Sequence, residues 1–327
     1  MDSTIYVVQD IRAKDIKKDS IRDGFGRGLL EAGKRNDQVV AICADLTDST
    51  KISMFAEAFP ERFVEAGIAE QDITTIGSGM AAMGKIPFVS SYAAFCPGRT
   101  WEQIRTTICL NDRPVKIIGS HAGLYTSPDG ATHQALEDIT LMRVLPNMVV
   151  LVPCDSVEAE KMAPLMAADK RPNYVRLARG ASPVITTPNT PFEIGPAYVF
   201  CEGSDVTLVA TGTMTYQALV AADMLKKDGI HAEVIHVPTI KPLDEKTILD
   251  SVKKTRHVVT AEEGQIAGGL GGAIAELVSE HFPVPVRRIG MKDEFGESAQ
   301  TPEELLKHFG LDAMHIAMAA HQVLGRK

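Results

Sequence analysis

The chain has 327 residues, 45% of them hydrophobic and 23% charged, with a formal net charge of −8. That is the make-up of a globular protein long enough for two ordinary domains. The acidic balance and the lack of a basic stripe argue against a nucleic-acid surface, and no apolar run nears the roughly 18 residues of a membrane span.

The opening stretch "MDSTIYVVQDIRAKD" lacks the apolar core of a secretory leader. The cysteines, Cys43, Cys96, Cys109, Cys154 and Cys201, are scattered with no CxxC pair. They read as reduced thiols of a cytoplasmic protein rather than as a disulfide or zinc framework.

Along the chain, short apolar runs alternate with helical patterns. "VVAICADL", "VKIIGSH", "MVVLVP" and "NYVRLARG" read as buried parallel strands. Asp155 with Glu158 forms a capping-box signature before "AEKMAPLMAAD". Proline and threonine collect in "ASPVITTPNTPFEIGP", residues 181–196, as in a surface linker. A second unit follows. "DVTLVATG" leads into a helix over "MTYQALVAADMLKKDG", and "HAEVIHVP", "HVVTAEEG" and "VPVRRIGM" supply further strands. Thr301, Pro302 and Glu304 open another helix with a capping box and an early proline. The pattern implies an α/β protein of two doubly wound domains, over 1–185 and 197–327, with a linker at 186–196.

Strand ends in such sheets point at ligands. In "FVEAGIAEQDI", Glu70 heads a run of small residues, "TTIGSGMAAMG", where a lone carboxylate is expensive to bury. In "GSHAGLYTSPDGATHQALEDI", His121 follows a strand and His133 lies twelve residues on. That spacing is too long for one helix face and offers no third zinc ligand, so no metal site is expected. His121 alone would read as a structural histidine, but two imidazoles at the ends of a loop able to fold back, with Asp129 between them, suit proton transfer or hydroxyl binding. Tyr92 and Phe95 are either core aromatics on one helix face or a platform for a flat heterocycle. The run "AGGLGGAIAEL" misses the third glycine of a dinucleotide fingerprint and reads as close helix packing.

Together "GIAEQ", "SYAAF…RTWEQIR", "HAGL…DGATHQALED", "LPNMVVLVPCD" and "RLARG" resemble the transketolase family. The likeness is to the C-terminal subunit of split transketolases. "GLGGAIAE" and "FGES…TPEELL" carry it nearly to the end of the chain. It implies a pyrimidine-binding domain, a C-terminal domain and dependence on thiamine diphosphate. The family's G-D-G stretch for magnesium and diphosphate is absent from the sequence. The resemblance therefore implies an N-terminal partner subunit that carries the diphosphate-binding domain and most of the Mg²⁺ site. An α2β2 heterotetramer is expected, with no nucleic acid and no membrane.

By the same resemblance, Glu70 faces the N1′ atom of the aminopyrimidine, where a carboxyl group drives the imino tautomer. Phe95 stacks on that ring with Tyr92 beside it, and Asp45 lies near the cofactor. His121 and His133 match histidines that contact the donor's hydroxyls and reacting carbonyl. Asp129 matches a reader of a sugar hydroxyl. Arg22, Ser49, Arg99 and Arg179 are expected on the substrate, with Arg22, Ser49 and Arg179 at its phosphate. The implied reaction moves a two-carbon ketol unit from a ketose phosphate to an aldose phosphate. Three features depart from the family pattern: Asp72 after "EQ", Pro128 in the loop, and Val152 where full-length transketolases place an arginine. Rival readings are the β subunit of a 2-oxoacid dehydrogenase, a relative of deoxyxylulose-phosphate synthase, and a non-catalytic paralogue that binds a partner.

Overall fold

The computed structural model describes residues 7–8, 10–13 and 15–325. Residues 1–6, 9 and 14 of the opening stretch lie outside them. The first half runs β1 (Lys18–Ser20), α1 (Ile21–Arg35), β2 (Val39–Cys43), α2 (Ser53–Ala58), β3 (Phe63–Glu65), α3 (Glu70–Ala82), β4 (Ile86–Tyr92) and α4 (Trp101–Gln103). It continues with β5 (Lys116–Ser120), α5 (Asp138–Arg143), β6 (Val149–Leu151), α6 (Ser156–Ala168), β7 (Asn173–Arg176) and β8 (Ala181–Pro183). The second half holds β9 (Tyr198–Cys201), β10 (Val206–Ala210), α7 (Met214–Lys227), β11 (Ala232–His236), β12 (Thr239–Lys241) and α8 (Glu245–Thr255). It closes with β13 (Val258–Gln265), α9 (Leu270–His281), β14 (Val286–Met291), α10 (Pro302–His308) and α11 (Ala313–Val323).

Two α/β sheets result, as the alternating pattern predicts. The larger has the order β12-β6-β7-β5-β4-β2-β3, parallel apart from β12. The smaller has the order β14-β13-β10-β11-β9, with β9 antiparallel at its edge. Every residue of β2, β5 and β10 is buried, because helices cover both faces of a parallel sheet. This is why those strands read as unbroken apolar runs. The cap half of each box forms, with Asp155 accepting the Glu158 N–H at 2.9 Å and Thr301 the Glu304 N–H at 3.4 Å, while the Glu158 and Glu304 carboxylates accept from Cys154 and Gln300, one residue before the cap.

Two strands depart from the sequence reading. Part of the proline-rich stretch, β8, pairs antiparallel with β1; the chain from 184 to 197 has no helix or strand. β12, from the second half, crosses over to extend the first sheet beside β6. Tyr92 and Phe95 share no helix either: Tyr92 ends β4, and Phe95 lies in the turn that follows.

A glycine face joins α1 to α6. A Cβ on Gly24 would lie 2.0 Å from the Ser156 carbonyl oxygen, and one on Gly28 would lie 2.3 Å from that of Glu160. Residues four apart share a helix face, so the two glycines let the backbones touch. The second glycine run plays a related role. Its amides, from Leu270 and Gly271 at the start of α9, donate to the buried carboxylate of Glu262 at 2.8 and 2.7 Å. Burial pushes that carboxyl up to about 7.

Gly24→Ala should destabilise the protein although alanine favours helix by about 1 kcal/mol. Overpacking of a rigid contact typically costs about 1–3 kcal/mol, and the net loss should appear as a lower urea midpoint. A midpoint at or above that of the wild type would mean that α1 and α6 do not touch there.

Candidate active site at the carboxyl edge of the first sheet

β2, β4, β5 and β7 run parallel, so their carboxyl ends open on one edge. Tyr92 closes β4, His121 follows β5 and Arg179 follows β7. Glu70 opens α3 on the same side and is 5% exposed.

A continuous set of contacts links these residues. The Arg99 guanidinium donates to Glu70 Oε2 at 3.1 Å and lies over the Phe95 ring, 4.2 Å from its centroid. Phe95 and Tyr92 stack at 5.9 Å, and Tyr92 stacks on His121 at 3.8 Å. His133 stands edge-on to both aromatic rings at 5.4 and 5.9 Å. Arg22 meets His121 Nε2 at 3.3 Å, the Ser49 carbonyl, and the Arg179 carbonyl at 3.2 Å. Arg179 in turn lies 3.6 Å from Asp129.

The roles of His121 follow from this geometry. Arginine can only donate, so Nε2 accepts from Arg22, and Nδ1–H is left to donate to Ser120 Oγ at 3.0 Å. Burial, then the charges of Arg22 and Arg179, drive its pKa down to about 2. The ring is neutral at physiological pH. Its backbone is held in the left-handed region, φ +55°, with Thr126 Oγ1 donating to its carbonyl at 2.7 Å. Such strain in a non-glycine residue persists only where its surroundings enforce it.

Glu70 also lines a pocket of about 390 Å³ with Ile68, Ala69, Gln71, Asp72 and Arg99. Over Phe95, with a donor aimed at Glu70, lies a planar N–H-bearing cation, Arg99. These are the two contacts that an aminopyrimidine would need, and the Arg99 side chain, 55% exposed, has room to leave. The slot therefore fits the pyrimidine end of thiamine diphosphate.

The structure brings Glu70, Phe95, Tyr92, His121, His133, Asp129, Arg22, Ser49 and Arg179 into one neighbourhood. Ser49 joins it through its carbonyl. Arg99, expected on the substrate, lies instead against Glu70 and Phe95. Asp45 lies just past the end of β2 on the same edge, and its N–H is held by Glu65 Oε1 at 2.7 Å. Val152 is buried in the core. Glu65, which also accepts the Gly67 N–H at 3.0 Å, ties that turn to the loop leading into Glu70. Sequence reasoning passed it over because a carboxylate ending a short strand carries no local signal.

One possible metal cluster exists among the described residues: Cys154, Glu158 and His236. Its polar atoms are already engaged. His236 bonds Glu158 at 2.9 Å and Thr215 at 2.8 Å, and Glu158 accepts the Cys154 N–H at 2.8 Å. We read it as a buried tie between the two halves.

Two family models match in succession, the transketolase pyrimidine-binding domain over residues 17–184 and the transketolase C-terminal domain over 195–316. The chain belongs to the transketolase family. A chain from Methanocaldococcus jannaschii named as a transketolase C-terminal section is 43% identical over 91% of this chain and 94% of its own length. The 6-deoxy-6-sulfo-D-fructose transketolase subunit SqwH of a Clostridium species is 41% identical over 94% of this chain and 95% of its own. A solved structure described as a split-gene transketolase, inactive β4 tetramer, superposes with a TM-score of 0.88 at 45% identity. The match covers 94% of this chain and 99% of that one. In extent and sequence the chain corresponds to the C-terminal subunit of split transketolases.

The buried neutral state of His121 makes stability depend on pH. Below its ordinary pKa of 6.5 the unfolded chain takes up a proton that the folded chain refuses. Its contribution is full above pH 6.5 and is lost as pH falls, at about 1.4 kcal/mol per pH unit. Glu262, raised from 4.5 to about 7, acts with the opposite sign, losing stability as pH rises through that window. It cancels when two proteins are compared. The stability gap between wild type and His121→Gln, from guanidinium unfolding, should shrink by about 1–2 kcal/mol between pH 7 and pH 5. A constant gap would mean that His121 charges in the folded state.

Proposed function

We propose that this chain is the pyrimidine-side subunit of a transketolase. It transfers a two-carbon ketol unit from a ketose phosphate to an aldose phosphate. It acts with a partner subunit that carries the diphosphate-binding domain and holds most of the Mg²⁺ site, in an α2β2 heterotetramer. Division of the chain into 1–185, a linker at 186–196, and 197–327 is part of this reading. So is a cytoplasmic location, with which five unpaired cysteines agree. No helix among the described residues is long and apolar enough to cross a membrane.

The observation that carries the proposal is the unbroken run of contacts from Glu70 to Asp129. Thiamine diphosphate, when bound, supplies the electron sink for breaking and making a carbon–carbon bond beside a carbonyl. Glu70, itself buried, would hold a proton at the N1′ atom, where burial makes such a hydrogen bond strong. Phe95 and Tyr92 would give the flat ring a stacking face. Neutral His121, able both to donate and to accept, suits a hydroxyl or a carbonyl, with His133 facing it across Tyr92. Asp129 would read a sugar hydroxyl, and Arg22 and Arg179 would hold the phosphate. Asp45 lies on the cofactor side of the same edge. Paired histidines and an aspartate beside two arginines suit a phosphorylated sugar better than an oxoacid. That favours transketolase over a 2-oxoacid dehydrogenase subunit.

Arg179 separates this reading from a structural one. Its pair with Asp129 is long and about a third exposed, so it is weak and can yield to a phosphate. In the complex with its partner, Arg179→Ala should raise KM for a phosphorylated acceptor about ten- to a hundredfold. Glycolaldehyde, which has no phosphate, should be used almost as before. Equal losses on both acceptors would make Arg179 structural, and absence of turnover by the wild-type complex would overturn the proposal.

A further inference from the structure

The loop carrying Asp129 and His133 is gripped from the second half of the chain, which supplies no candidate site residue. Glu263 Oε1, at the end of β13, accepts the Tyr125 N–H at 2.8 Å. The Ala299 N–H donates to the Ser127 carbonyl at 3.0 Å. Gln134, next to His133, donates through Nε2 to the Glu297 carbonyl at 2.8 Å. Two segments of the second half, β13 and residues 297–299, thus hold one loop through three hydrogen bonds.

Glu263 is itself fixed. It is 3% exposed, and the Thr213 hydroxyl donates to its Oε2 at 2.7 Å. Arg176 donates to the Glu263 carbonyl at 2.6 Å and is held on its other side by Asp138 at 3.1 Å. At Gly123, φ +73°, an added Cβ would lie 2.3 Å from both Arg176 Nη2 and Glu263 Oε1. The loop therefore runs directly over this pair, and only glycine fits the crossing.

We propose that Glu263 is a positioning residue for substrate, setting the 122–134 loop so that Asp129 meets Arg179 and His133 meets Tyr92 and Phe95. The inference rests on the transketolase reading of the site. Leu124 and Tyr125 anchor the start of the loop in the core, but residues 126–134 bury no apolar side chain; ordering each of them costs about 1–2 kcal/mol of backbone entropy, which outside partners must offset. Through Glu263, Glu297 and Ala299, the second half of the chain governs sugar recognition without touching the sugar. The pyrimidine slot at Glu70, Phe95 and Arg99 has no such grip.

Hydrogen exchange on the full chain, read by mass spectrometry, tests the grip directly. In Glu263→Ala and in Gln134→Leu, amides 122–133 should exchange about tenfold faster while both sheets keep their protection. Glu263→Gln keeps an oxygen for the Tyr125 N–H and should restore most of the loop protection. In the complex with the partner, the alanine and leucine variants should raise KM for the sugar phosphates about tenfold. Their dissociation constant for thiamine diphosphate should stay within about twofold. If Glu263→Ala does not fold, Gln134→Leu decides. Unchanged loop exchange overturns the inference, and so does a loss of protection spread evenly over both sheets. A wild-type complex without transketolase turnover overturns the functional reading instead, and the exchange data still decide whether Glu263 holds the loop.

Discussion

A parallel sheet covered by helices on both faces has no room for polar chemistry except at its strand ends. β2, β4, β5 and β7 are mostly apolar, with a few buried polar residues such as Lys116, Asn173 and Arg176, and the candidate site residues gather at or just beyond the strand ends. Tyr92, His121 and Arg179 are neighbours because their strands are neighbours. The constraint also explains the electrostatics. Strand ends point into a half-buried rim, where burial and the neighbouring Arg22 and Arg179 hold the His121 ring neutral. A site with fixed cations and a neutral imidazole is suited to an anion with hydroxyls.

The two halves are joined by buried polar contacts rather than by apolar packing alone. Arg176 sits 4% exposed between Asp138 and Glu263, and His236 sits against Glu158. Such groups add little net stability when satisfied, but removing one partner leaves a buried charge, at a cost of about 3–5 kcal/mol. Their effect is to fix how the halves sit. Together with β12, they make the first sheet and the loop over it depend on the second half.

Much of the candidate site was legible in the sequence because its residues cluster in short segments at strand ends. Glu70, Phe95, His121, Asp129 and Arg179 each stand in a segment whose composition changes abruptly from apolar to polar or glycine-rich. Other features were not legible, for identifiable reasons. Glu263 looks like any acidic residue ending a strand; its meaning depends on Tyr125, 138 residues earlier. Gly24 and Gly28 make a helix look weak until α6 is laid against them. β12 is three residues long and flanked by prolines, so it reads as loop. The glycine run after β13 suggested close packing, yet its amides also cradle a carboxyl group, the chain's own Glu262. The contact of Arg99 with Glu70, 29 residues earlier, needs the fold.

The central claim is that Glu70 is the carboxyl group that faces the cofactor. Its most direct test is exchange of the thiamine diphosphate C2 proton with solvent, followed by NMR in the complex of this chain with its partner subunit. With Glu70→Ala folded and cofactor-loaded, exchange should slow by about 10² to 10⁴. Exchange at the wild-type rate would contradict the assignment.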